Sequence, residues 1–152
     1  MEYKYKYLMV ALLFSAVAAI ALAQGYPLTV EGPITKDWQG VQRSTFARGE
    51  VVVVETNVTY APGYYYYAPG GISYLEIITM WHGNSMLGLL LTRDTITPGA
   101  VKTFGGGIGI RYTDPLGTYK VEVYVWNGFP SEMGAAWAPL AAIKTTTITV
   151  TP

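Results

Sequence analysis

The chain has 152 residues, with ten basic and ten acidic side chains, one histidine and no cysteine. A formal net charge of zero gives no electrostatic reason to bind nucleic acid or an anionic membrane surface, both of which attract basic patches. Without cysteine there is no disulfide framework, so an apolar core must hold the fold alone; with half the residues apolar and 13 tyrosines, it can.

The first 23 residues have the three-part layout of a secretory signal peptide. Lys4 and Lys6 make a positive end, Leu8 to Ala23 is apolar except for Ser15, and Ala21-Leu22-Ala23 closes the run with the small-x-small pattern cut by signal peptidase. Sixteen apolar residues fall short of the roughly 20 that a membrane-spanning helix needs. Gly25 and Pro27 stop the run from lengthening, which also excludes a retained pilin-type helix. The expected cleavage lies between Ala23 and Gln24, leaving 129 residues with eight basic and nine acidic side chains outside the cytoplasm. Contact with a membrane is then limited to the signal peptide before cleavage.

After Gln24 the chain reads as strand and turn, with no helical period longer than a turn. Tyr26, Leu28 and Val30 alternate with polar residues until Gly32-Pro33, which predicts a short N-terminal strand within 24–34. A turn over Lys36 to Gly40 and a short strand within Val41 to Phe46 follow. Glu50 to Tyr60 is a strong strand, with Val52, Val54, Thr56 and Val58 on one face and Asn57 beside Glu55 on the other. Ala61 to Gly70 is a loop with Tyr64, Tyr65, Tyr66 and Tyr67 at its centre. Ile72 to Trp81 is a strand with Leu75, Ile77 and Trp81 on one side.

Two strands, Leu87 to Ile96 and Val101 to Ile110, flank Thr97-Pro98-Gly99. Thr118 to Trp126 places Tyr119, Val121, Val123 and Val125 on one face. A loop from Asn127 to Pro139 leads to the last strand, Ala142 to Thr151, whose Thr145, Thr147, Thr149 and Thr151 line the side opposite Ile148 and Val150. About seven strands with turns between them predict an all-β, single-domain sandwich over 35–152, following the signal helix and the N-terminal strand.

Phe46-Ala47-Arg48-Gly49-Glu50 before Val51 to Val58, then Thr97-Pro98-Gly99, then Leu116-Gly117-Thr118-Tyr119 before Val121 to Trp126, resemble the framework of immunoglobulin-like sandwiches of the CARDB type. The resemblance implies that Tyr119 is a buried corner tyrosine bonded to nearby backbone. It implies a fold and no activity. A looser resemblance is to exported fibre subunits that donate a strand to a neighbour. There Tyr26, Leu28 and Val30 would be the assembly strand, against the alternative that they form the first strand of their own domain.

Chemistry has little to work with. A triad of Ser85, His82 and Asp94 can be written down, but no nucleophile elbow frames it, and no enzymatic activity is expected. One histidine and scattered carboxylates predict neither a metal site nor a cofactor. Gly105-Gly106-Gly107-Ile108-Gly109 precedes no helix, so it reads as a bulge or a close strand approach. The four tyrosines read as a contact loop, for a protein surface or a carbohydrate, or as rings folded over the end of the sandwich. Asn57-Val58-Thr59 is a glycosylation sequon. Scarce Asn and Gln with many β-branched residues fit a thermophilic, archaeal host.

The expected function is a non-catalytic extracellular or cell-surface protein that associates with itself or another surface protein, with a carbohydrate-binding module as the alternative. Mass spectrometry of the exported chain should find Gln24 as its first residue; a secreted product that still carries Met1 would reject cleavage.

Overall fold

A computed structural model describes residues 25–61, 63 and 68–152. The signal segment with Ala23 and Gln24, and the tyrosines Tyr64 to Tyr67, lie outside the described residues. Eight strands form two sheets: β1 (Leu28–Lys36), β2 (Thr45–Ala47), β3 (Val51–Tyr60), β4 (Ile72–His82), β5 (Ser85–Ile96), β6 (Val101–Gly109), β7 (Gly117–Trp126) and β8 (Lys144–Thr151). One sheet has the order β1-β3-β6, and the other β2-β8-β7-β4-β5. All pairings are antiparallel except the short one between β2 and β8.

The core lies between the sheets and follows the period-two alternation of β3 and β7. Val52, Val54 and Val58 face Ile78, Met80, Val121, Val123 and Val125, all at or near complete burial. Each such side chain removed from water contributes about 1.5–3 kcal/mol. On β4, Leu75, Ile77 and Trp81 do share a face, but it is the outer one. Tyr74, Glu76, Ile78 and Met80 point into the core.

Gly32-Pro33 does not end the first strand. Between Glu31 and Ile34 the ladder with β3 takes up one extra residue, and β1 then continues to Lys36. This bulge keeps Pro33 and Thr35 buried after Leu28 and Val30. Gly32 is needed there: its φ is +96°, and a Cβ would come 2.9 Å from the Glu55 carbonyl oxygen. The strand is therefore an integral part of the three-stranded sheet and crosses the expected boundary at residue 34.

The glycine-rich stretch is strand β6, paired in continuous register with β3. A Cβ on Gly106 would lie 2.7 Å from Leu90 Cδ1, and the Gly88 position is filled by Ile108. The glycines thus let β5 and β6 interlock across the sandwich. Between β7 and β8 a four-residue helix, α1 (Pro130–Met133), and a 3-10 turn (Gly134–Ala136) interrupt the expected loop.

Tyr119 is fully buried, and its hydroxyl donates to the Pro115 carbonyl at 2.6 Å, closing the turn before β7. Replacing Tyr119 with Phe leaves that carbonyl without its partner. The variant should lose about 1–2 kcal/mol of stability in urea unfolding, and an unchanged midpoint would show that the bond is immaterial.

Candidate functional site

The structure seats the N-terminal strand in its own chain. Leu28 and Val30 are buried against their own core, the Leu28 N–H donates to the Leu140 carbonyl at 2.9 Å, and Tyr26 remains 44% exposed. β3 is the only strand that β1 forms a ladder with, so β1 is an edge strand, though its other side is tied at both ends: the Leu28 N–H to Leu140, and Thr35 and Lys36 to Arg43 and Gln42. The threonine ladder of β8 faces outward as its alternation requires, yet its last part is not open. Thr149 to Thr151 pair with Thr45 to Ala47 of β2.

His82 and Ser85 meet in the β4–β5 hairpin, whereas Asp94 pairs with Tyr74. Eight residues of strand separate the two positions, roughly 26 Å, and no triad forms. His82 packs against Tyr119 instead, with ring centroids 5.0 Å apart. Asn57 lies on the outer face of the three-stranded sheet, half-buried, and its Oδ1 accepts from the Thr103 hydroxyl at 2.7 Å.

The outer face of the five-stranded sheet has a feature that strand-by-strand reading did not reveal. Register places Leu91, Ile77 and Tyr124 in one row across β5, β4 and β7, with Met86, Trp81 and Lys120 in another and Leu89, Thr79 and Glu122 between them. Met86, Leu89 and Leu91 are 48%, 47% and 47% exposed, so an apolar stripe follows the edge strand. Further in, the Trp81 indole N–H donates to Thr79 at 2.8 Å. The Tyr124 hydroxyl donates to Glu122 at 2.7 Å, and burial followed by that carboxylate pushes its pKa up to about 12.

At the end of the sandwich where the β3–β4 and β7–β8 connections emerge, a polar cleft of about 410 Å³ opens among Ser73, Arg93, Asp94, Thr95, Asn127 and Glu132. Its charges are paired. Glu132 accepts from Arg93, whose guanidinium also lies 4.8 Å from the Phe129 ring centroid, and Asp94 sits 3.0 Å from Lys102. Arg93 and then the Phe129 amide hold the Glu132 carboxyl below its ordinary range; the Thr95 amide and then Lys102 do the same for Asp94. Beside the cleft, Trp137 stacks on Trp126 at 4.0 Å and remains partly exposed. Among the described residues, no group of three His, Cys, Asp or Glu side chains could hold a metal ion.

No family model and no curated protein matches the sequence. Solved structures do. The C-terminal domain of Wzt is 12% identical and superimposes with a TM-score of 0.61 over 85% of this chain and 75% of its own. A CARDB domain from Pyrococcus furiosus, solved in complex with di-metal ions, is 14% identical with a TM-score of 0.51, over 84% of this chain and 90% of that one. The fold is an immunoglobulin-like β-sandwich. A β-glucuronidase from Bacteroides uniformis shares it at 10% identity and a TM-score of 0.58, but the match covers 81% of this chain and 14% of the enzyme. Likeness at these identities extends to fold and no further.

Glu76 is a core residue that the sequence pattern hid, because Ile72 to Trp81 is apolar on both faces. It is fully buried, in register with Val125 on β7 and Thr92 on β5. The Thr56 hydroxyl reaches it from the opposite sheet and donates to Oε1 at 2.5 Å; Oε2 is buried without a partner among the described residues. Burial raises the Glu76 pKa, and the Thr56 bond only partly opposes this. A raised folded pKa means that the carboxyl favours the native state below its ordinary value of 4.5, and that this contribution is lost as pH rises through the folded pKa. The urea midpoint of the native protein should therefore fall relative to Glu76→Gln as pH rises from 4.5 towards neutrality. Parallel pH profiles for the two proteins would show that Glu76 does not titrate in the core.

Proposed function

We propose that this chain is a non-catalytic, exported structural or interaction protein at the surface of a thermophilic archaeon, and that its principal partner is a second copy of itself. The apolar stripe of Met86, Leu89 and Leu91 carries this reading. The fold already has a complete core, so three half-exposed large side chains in a row add nothing within the chain, whereas a contact would remove them from water. The signal-peptide layout and the absence of cysteine support export without disulfide formation. Assembly into a thread or pilus by donor-strand insertion is compatible with the topology, because β1 would leave by breaking one ladder, that with β3, and the few backbone bonds to Leu140, Gln42 and Arg43. In that case Tyr26, Leu28 and Val30 would enter a neighbour's core, and a glycan on Asn57 would project from the sheet face.

The cleft favours a second reading, a carbohydrate-binding module. Its charges neutralise each other, the Ser73 and Thr95 hydroxyls that line it bond each other at 2.9 Å, and the partly exposed Trp137 donates to the carbonyl of Gly128 in its wall, a setting suited to a neutral polyhydroxylated ligand. In the sequence, Tyr64 to Tyr67 fall between Tyr60, the last residue of β3, and Ile72, the first of β4.

Sedimentation and negative-stain microscopy of the exported, processed protein should reveal assemblies whose population grows with concentration. A strict monomer that binds immobilised polysaccharide, and loses that binding on replacement of Tyr65 and Tyr66 by Ala, would overturn self-association in favour of the second reading.

A further inference from the structure

The self-contact proposed above leaves open which surface makes it, and the four sheet edges differ sharply. β1 carries Glu31 and Lys36 and is broken by the Gly32-Pro33 bulge; charges, proline and bulges all discourage pairing with another strand. β2 is three residues long. β6 carries Lys102, and two of its glycines are closed over by Leu90 and Val51. β5 spans 12 residues, is bonded on one side to β4, and has no ladder partner on its other side among the described residues.

From Ser85 to Thr92, β5 carries no charged side chain. A bulge opposite Met80 and Trp81 displaces Leu87, so the straight uncharged run is Gly88 to Thr92. Arg93 ends the run and is held by Glu132 and the Phe129 ring. The five residues Gly-Leu-Leu-Leu-Thr are close to symmetric about Leu90. We infer that β5 pairs antiparallel with β5 of a second copy around a two-fold axis at Leu90, joining two five-stranded sheets edge to edge; this rests on the self-association reading.

In that register each Leu89 stands opposite the partner's Leu91, and each Gly88 opposite the partner's Thr92. The leucines meet twice on the outer face, continuous with the stripe formed by Ile77 and Trp81. No charge lies opposite a like charge within the run, and with eight basic and nine acidic side chains after processing the copies carry a formal charge of only −1 each. A second copy suits this edge because a two-fold contact sets each residue against the one at its mirror position, and here those pairs are leucine with leucine and glycine with threonine, none of them charged. The pairing leaves the β1 edge untouched.

The chain has no cysteine, so introduced thiols report on neighbours directly. Leu89→Cys and Leu91→Cys proteins, mixed and oxidised, should form a mixed disulfide dimer in much higher yield than either variant alone. Leu89→Lys should keep the native circular dichroism spectrum and weaken association by about tenfold or more, since it sets an unpaired charge against leucine. If assemblies persist undiminished in Leu89→Lys and the mixture does not cross-link, the β5 contact is wrong while self-association stands. If the native protein is monomeric at every concentration, both are wrong.

Discussion

The sandwich depends on the facing of β3 and β7, each of which buries one side chain in two. With no disulfide and no metal cluster among the described residues, side-chain packing must carry most of the load between the sheets. Val52, Val54 and Val58 on one strand and Tyr119, Val121, Val123 and Val125 on the other supply much of the shared interior. A slip of one residue in either strand would turn its apolar set outward and set polar side chains against the opposite sheet. The hydroxyl of Tyr119, tied to Pro115, anchors the start of β7 against such a slip. The Gly106–Leu90 and Gly88–Ile108 contacts hold the far side closed.

Legibility followed the contrast between the faces of each strand. β7 sets valines against Lys120, Glu122 and Tyr124, and β3, after its opening run of four valines, sets Val58 and Tyr60 against Glu55, Asn57 and Thr59, so their inner faces could be read directly. β4 offers Leu75 and Ile77 on one side and Ile78 and Met80 on the other, and only pairing with Val125 and Val123 fixes which side is inside. Glu76 was hidden for that reason. Gly32-Pro33 read as a stop because proline lacks an N–H and glycine weakens strands; on an edge strand both can be absorbed in a bulge. α1 is too short to show a helical period, and the parallel pairing of β2 with β8 joins segments about a hundred residues apart. The tyrosine corner was legible only through the resemblance of Leu116-Gly117-Thr118-Tyr119 to the framework of immunoglobulin-like sandwiches.

The functional features divide in the same way. An apolar stripe across β5 and β4 is a property of register, invisible in either strand alone, and the cleft draws residues from three separate stretches. Glu76 shows the opposite relation between burial and purpose: a carboxyl with one bonded oxygen and one unbonded oxygen makes a costly core residue when ionised. The loss is bounded if the group remains protonated, because its neutral form needs far less hydration. The core thus contains a group whose charge state depends on the medium, and with the opposite sense to surface carboxylates such as Asp94 and Glu132, whose pKa values are lowered.

The parallel pairing of β2 with β8 also sets how the domain would carry a mechanical load. β1 starts at the end of the sandwich where the long loops emerge, and β8 finishes at the other end, clasped by β2. Tension entering through β1 and leaving through β8 runs along both strands. Their hydrogen bonds are then strained together in shear and cannot open one after another like a zipper. A sandwich strung in this direction resists extension through whole ladders at once.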